Sequence, residues 1–103
     1  MKNGMYVKQP LHAGSLILKN RIVMPPMATR LGEPDGCVNE KVCSYYRARA
    51  KGGYLGLIII EHSYVDPQGR TNPVMLGLSE ERHIDGHRRL VQAIHEDQQL
   101  RAL

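Results

Sequence analysis

Two hydrophobic periods alternate along the 103-residue chain. LHAGSLILKN, residues 11–20, reads as a short hairpin or strand with a turn at Ala13-Gly14 and a polar stop at Lys19-Asn20. RIVM, 21–24, is a β-branched strand. It stops at Pro25, which has no N–H to give to a ladder. LGEPDG, 31–36, is loop chemistry, with Pro, Asp and Gly each favouring a turn for its own reason. Asn39 is placed to cap a helix through EKVCSYYRARAK, whose Arg47, Arg49 and Lys51 sit toward the negative C-terminal end and whose stop is Gly52-Gly53. LGLIIIE, 55–61, is a continuous apolar run bounded by glycine, the pattern of a strand buried on both faces. A second helix is predicted over about 80–97, with Ile84, Val91 and Ile94 as its apolar stripe and Arg88 and Arg89 beside it. LRAL, at the end, reads as a third strand beginning. No internal repeat or low-complexity tract appears.

Strand, helix, strand, helix, strand is the grammar of a parallel α/β sheet. Sites on such sheets gather at the carboxyl ends of the strands, where loops vary while the strands hold them rigid. Two such ends are visible: PPMATR, 25–30, and EHSYVDPQGR, 61–70, where polar Glu61, His62 and Ser63 abruptly follow the apolar run.

Composition narrows the classes. Hydrophobic residues make up 42% and charged residues 23%, ordinary for a soluble chain. At this length the core is modest. Phe and Trp are absent, so aromatic packing rests on five Tyr. The net charge of +4 comes from basic residues interleaved with acids, which gives no stripe for nucleic acid or an anionic membrane. Cys37 and Cys43 have no CxxC partner or nearby His at ligand spacing; a reduced, cytoplasmic protein fits them best, with a disulfide still open. Neither a signal peptide nor an apolar span of roughly 18 residues is present, so the chain is expected to stay in the cytosol. His83 and His87 stand four apart, but HIDGH lacks the acid of a metalloprotease motif. No metal site is expected, and His12, His83, His87 and His95 read as surface or partly packed residues.

LKNRIVMPPM, the YY-R-RA-GG helix end and the E-S-V-P-GR string follow one another over nearly the whole chain. In this order they resemble the opening of the old yellow enzyme family, the NADH:flavin oxidoreductases that include 2,4-dienoyl-CoA reductases. The resemblance implies the N-terminal part of a TIM (β/α)8 barrel, about two βα units plus an N-terminal hairpin. It implies FMN at the strands' carboxyl ends and reduction of activated alkenes or flavin substrates with hydride from NADH or NADPH. Pro25, Pro26, Met27 and Ala28 would then contact the flavin through backbone and small side chains, and His62 would do so through its backbone where relatives usually carry a small residue. Without the family, Pro25-Pro26 simply ends an edge strand and Met27 fills a core gap. Ala28 stands where relatives often carry Thr or Cys, so one polar handle on the flavin's potential and any cysteinyl link at this position are missing. Arg30 falls where some relatives turn a Tyr toward substrate, so substrate preference does not carry over; a cation there suits an anionic substrate such as a CoA ester, and a solvent-facing Arg fits equally well. Glu61 is expected to hydrogen-bond within the barrel mouth.

A barrel of this kind needs about 250 residues. The flavin-phosphate site, the substrate-orienting His pair or His/Asn pair, the proton-donating Tyr and any iron-sulfur cysteines would lie beyond Leu103. The expectation is therefore a single incomplete domain, 1–103, roughly a quarter of a barrel, with no catalytic residue of its own and an adhesive open edge along LGLIII through which copies could self-associate. Two other classes remain: a small autonomous α/β module that binds a partner or nucleotide without chemistry, and a nucleic-acid binder whose affinity falls steeply with salt.

Overall fold

A three-stranded parallel sheet organises the chain. In the computed structural model, which describes residues 3–96 and 101–102, its order is β3 (Val23–Met24), β4 (Leu57–Ile58) and β7 (Arg101–Ala102). Val23 lies opposite Leu57 and Met24 opposite Ile58; Leu57 in turn faces Arg101 and Ile58 faces Ala102. Main-chain bonds from Gly56 to Ile22 (2.9 Å) and from Ile59 to Met24 (3.0 Å) lengthen the β3–β4 contact. Helix α2 (Glu40–Ala50) separates β3 from β4 in the chain, and α3 (Arg82–Ile94) separates β4 from β7. That is the alternation expected from the hydrophobic periods.

Ahead of the sheet come a helix, α1 (Asn3–Lys8), and an antiparallel hairpin, β1 (Leu11–Ala13) with β2 (Leu16–Leu18). The hairpin turn falls at Gly14-Ser15, where Gly14 takes φ +62°, a conformation that costs glycine little. Asn20 links hairpin to sheet: it is buried, its Oδ1 accepts the Ile22 N–H (2.9 Å), and its Nδ2 donates to the Tyr54 carbonyl (3.0 Å). After β4 a second parallel pair forms, β5 (Ser63–Tyr64) with β6 (Leu76–Gly77), with a 3-10 turn at Pro67–Gly69 between them. Neither α1 nor this pair is announced by a hydrophobic period.

The core is made where α2 and α3 meet the sheet. Asn39 caps α2 as expected, its side chain accepting the Val42 N–H at 3.0 Å. Val42, Cys43, Tyr46 and Ala50 then fall on the inner face and pack with Met24, Ile58, Leu76, Leu90, Ala93 and Ile94. Three expectations change. The run 55–61 gives a ladder of only Leu57–Ile58, with Ile58 and Glu61 buried and Leu57, Ile59 and Ile60 half-buried. Two helices and two partner strands do not cover so long a run on both faces. Nor is LGLIII an open edge: β7 covers it, and among the described residues β3 and β7 are the edge strands. Helix α3 is shorter than 80–97, and of its expected stripe only Ile94 is buried. Ile84 is 50% exposed, while Leu90 and Ala93 take the core positions. Asp97, Leu100 and Leu103 lie outside the described residues.

Candidate functional site

The parallel register puts the two suspected strand exits side by side. Residues 25–28 leave β3 next to residues 59–62 leaving β4, because Met24 and Ile58 are paired. Pro25, Pro26, Met27 and Ala28 are all exposed, as are Arg30 and His62. Met27 is 49% exposed, so it fills no core gap. The N–H groups of Met27 and Ala28 bond to no other described residue, and the two prolines before them have none to donate. The segment thus offers two backbone donors on a rigid, apolar ledge.

Just past that ledge, Thr29 meets a buried carboxylate. Glu61, 4% exposed, accepts through Oε1 from the Thr29 N–H (3.2 Å) and the Thr29 hydroxyl (3.1 Å), and through Oε2 from the Tyr46 hydroxyl (3.0 Å). The same Tyr46 oxygen accepts the Glu61 N–H at 2.9 Å. Burial, first of all, pushes the Tyr46 phenol far above its usual range, so it stays a donor. Glu61 therefore hydrogen-bonds in the sheet's mouth, as expected. The roles of Thr29 and Tyr46 were not anticipated. For Tyr46 a signal existed: Val42, Tyr46 and Ala50 are four apart, the spacing of one helix face.

A cleft of about 380 Å³ opens beside the exit of β4, lined by Ile59 to Ser63, Leu78 and His87. Pro25 to Ala28 do not line it. His87 is half-buried, with Nε2 3.1 Å from the Gly77 carbonyl. Burial holds its imidazole below the usual range and nearby His83 adds to this, while the Gly77 carbonyl and Glu61 oppose it. The unfolded chain therefore binds the proton more readily. The stability this represents is complete above the unfolded pKa of about 6.5 and is lost as pH falls through the folded value. The urea midpoint is expected to drop on acidification from neutrality, and to drop less in His87→Gln.

His83 corrects the expectation of partly exposed histidines. It is fully buried, its Nδ1 accepts the N–H groups of Ser79 and Glu80 (3.2 Å each), and its Nε2 donates to the Asp35 carbonyl at 2.8 Å. Nε2 thus joins the 31–36 loop to α3, while Nδ1 ties down the turn that leads into the helix. Among the described residues no group of three or more His, Cys, Asp or Glu could hold a metal ion, and Cys37 and Cys43 are free thiols. No described helix is long and apolar enough to cross a membrane.

A parallel α/β sheet with its rigid, donor-bearing ledge at the carboxyl edge belongs to the class that holds ligands at strand exits. Residues 7–102 match the model of the NADH:flavin oxidoreductase / NADH oxidase family. The chain belongs to that family. It is 47% identical over 83 residues to an NADH oxidase of Thermoanaerobacter brockii, a match covering 80% of this chain and 13% of the relative. With an NADH:fumarate oxidoreductase of Klebsiella pneumoniae it shares 40% over 77 residues, covering 75% of this chain and 8% of the relative. Among solved structures, a 2-naphthoyl-CoA reductase complex superposes with a TM-score of 0.85 at 28% identity, over 89% of this chain and 14% of that one. An old yellow enzyme homologue from Zymomonas mobilis gives 0.82 at 27%, over 93% and 26%. The chain thus spans about a quarter or less of these proteins.

Proposed function

We propose that this chain supplies part of the flavin face of an FMN-dependent (β/α)8 barrel oxidoreductase, and that its 103 residues are one incomplete domain, catalytically incompetent alone. The observation that carries the reading is the pair of unengaged N–H groups at Met27 and Ala28 on the proline-fixed exit of β3. A flat, largely apolar ring with acceptor atoms along one edge suits such a ledge, because binding orders little that is not ordered already. When bound, FMN would supply hydride transfer from NADH or NADPH to an activated alkene. Pro25 and Pro26 hold the backbone, Met27 and Ala28 present donors and apolar surface, and His62 offers its main chain from the next strand. The uncovered edges of β3 and β7 are where further barrel strands would add, and where isolated copies would associate.

Arg30 is assigned to substrate. It is exposed at the end of the ledge, and the relatives named for fumarate and for a CoA thioester act on anionic molecules. Arg30→Gln in the active protein is expected to raise KM for an anionic alkene about tenfold, the loss of one charge-assisted contact, with little change for an uncharged one. Equal effects on both substrates would remove Arg30 from that role.

The reading is tested by a chimera in which this chain replaces the matching segment of the T. brockii NADH oxidase. A folded chimera that retains FMN supports it, and a folded chimera that binds none contradicts it. Turnover by the 103-residue chain alone would refute the incompetence clause.

A further inference from the structure

Resting on that reading, we infer that Glu61 is a positioning residue: through Thr29 it latches the flavin-facing ledge to the exit of β4 and to α2. The Thr29 hydroxyl donates to Glu61 and also accepts the Leu31 N–H at 3.2 Å. Leu31 is held from the other side as well, its carbonyl accepting from the Asn39 side chain at 2.8 Å, and Asn39 is the cap of α2. Between Thr29 and Leu31 stands Arg30, at φ +58° the one described non-glycine residue in the left-handed region. Such a conformation persists where the surroundings over-determine it. Here bonds on either side of Arg30 do so, and two of them pass through one hydroxyl. On the far side of Glu61, Tyr46 fixes the carboxylate from within the core. The chain of contacts therefore runs from the α2 core, through a buried carboxylate, to the ledge where the ring would lie. A general base needs a proton to take from a substrate; this carboxylate is buried and already engaged by three donors.

The latch is tested with Thr29→Val, which keeps the shape and loses both functions of the hydroxyl, against Thr29→Ser, which keeps both. Amide hydrogen exchange in the chain itself is expected to speed up about tenfold at position 31 in T29V, where the Leu31 N–H loses its acceptor, and less at position 29, whose N–H keeps Oε1 of Glu61; in T29S both stay near wild type. In the chimera, T29V is expected to weaken FMN binding by a similar factor, with recovery in T29S. Unchanged exchange in T29V, or T29S exchanging as fast as T29V, overturns the latch. Faster exchange with unchanged FMN affinity overturns the positioning role. A wild-type chimera that binds no FMN sinks the flavin reading instead, and the exchange arm still decides the latch.

Discussion

Gly36→Ala is expected to cost about 3 kcal/mol, lowering the melting midpoint of the chain by roughly 10–20 °C. Two effects add. Gly36 has φ +88°, where any Cβ is strained, and a Cβ built there would stand 2.3 Å from the Tyr64 hydroxyl and 3.0 Å from Nε2 of His83. Neither neighbour is free to retreat. His83 is fully buried with both nitrogens bonded, and the Tyr64 hydroxyl is held between the Asp35 carbonyl (3.4 Å) and Arg70 (3.3 Å). The Gly36 carbonyl also accepts the Gly77 N–H at 2.9 Å, so a shift of the loop would pull on β6. Gly53 supplies the control. Its φ is +79°, yet a Cβ there meets nothing within 4 Å, so Gly53→Ala isolates the backbone term at about 1 kcal/mol. Paired urea melts measure the difference. Equal losses at the two sites would mean that the Tyr64–His83 cluster is soft.

Tyr46→Phe is expected to destabilise by about 2–4 kcal/mol, more than the usual net loss of about 1 kcal/mol for a hydrogen bond. The excess arises because one oxygen serves two partners. Without it, both Oε2 and the N–H of Glu61 lose their Tyr46 bond in a place with little water, and a buried carboxylate short of a donor is costly. Replacing the charge should soften the loss: in a Glu61→Gln background, Tyr46→Phe should cost at least about 1 kcal/mol less, a coupling readable in a double-mutant cycle. Additive losses would mean that the two groups act independently.

Much of this was legible because it depends on local chemistry. Pro25 ends β3, Asn39 caps α2, and the apolar run at 55–60 marks β4; each follows from a donor, an acceptor or a period. Burial was less legible, since it depends on what the rest of the fold supplies. Ile84 and Val91 keep helical spacing with Ile94, yet the packed face of α3 turns through His83, Gly86, Leu90 and Ala93. Gly86 explains part of that choice: a Cβ there would come within 2.9 Å of Val38, so the helix approaches the chain most closely on the glycine side. His83 was misplaced for the same reason, because two backbone N–H groups and a carbonyl that satisfy a buried imidazole leave no trace in residue spacing. At the site, Pro25 to Ala28 and His62 were found at the strand exits, whereas Thr29 and Tyr46 emerged only when the fold brought positions far apart in sequence onto one carboxylate.

The most direct measurement compares amide hydrogen exchange in the FMN-loaded and flavin-stripped forms of the chimera. The account predicts protection on loading at Met27, Ala28 and His62, the amides that would face the ring from the two strand exits. Exchange at those three positions that is indifferent to flavin, while the chimera still binds it, would contradict the account and place the flavin elsewhere.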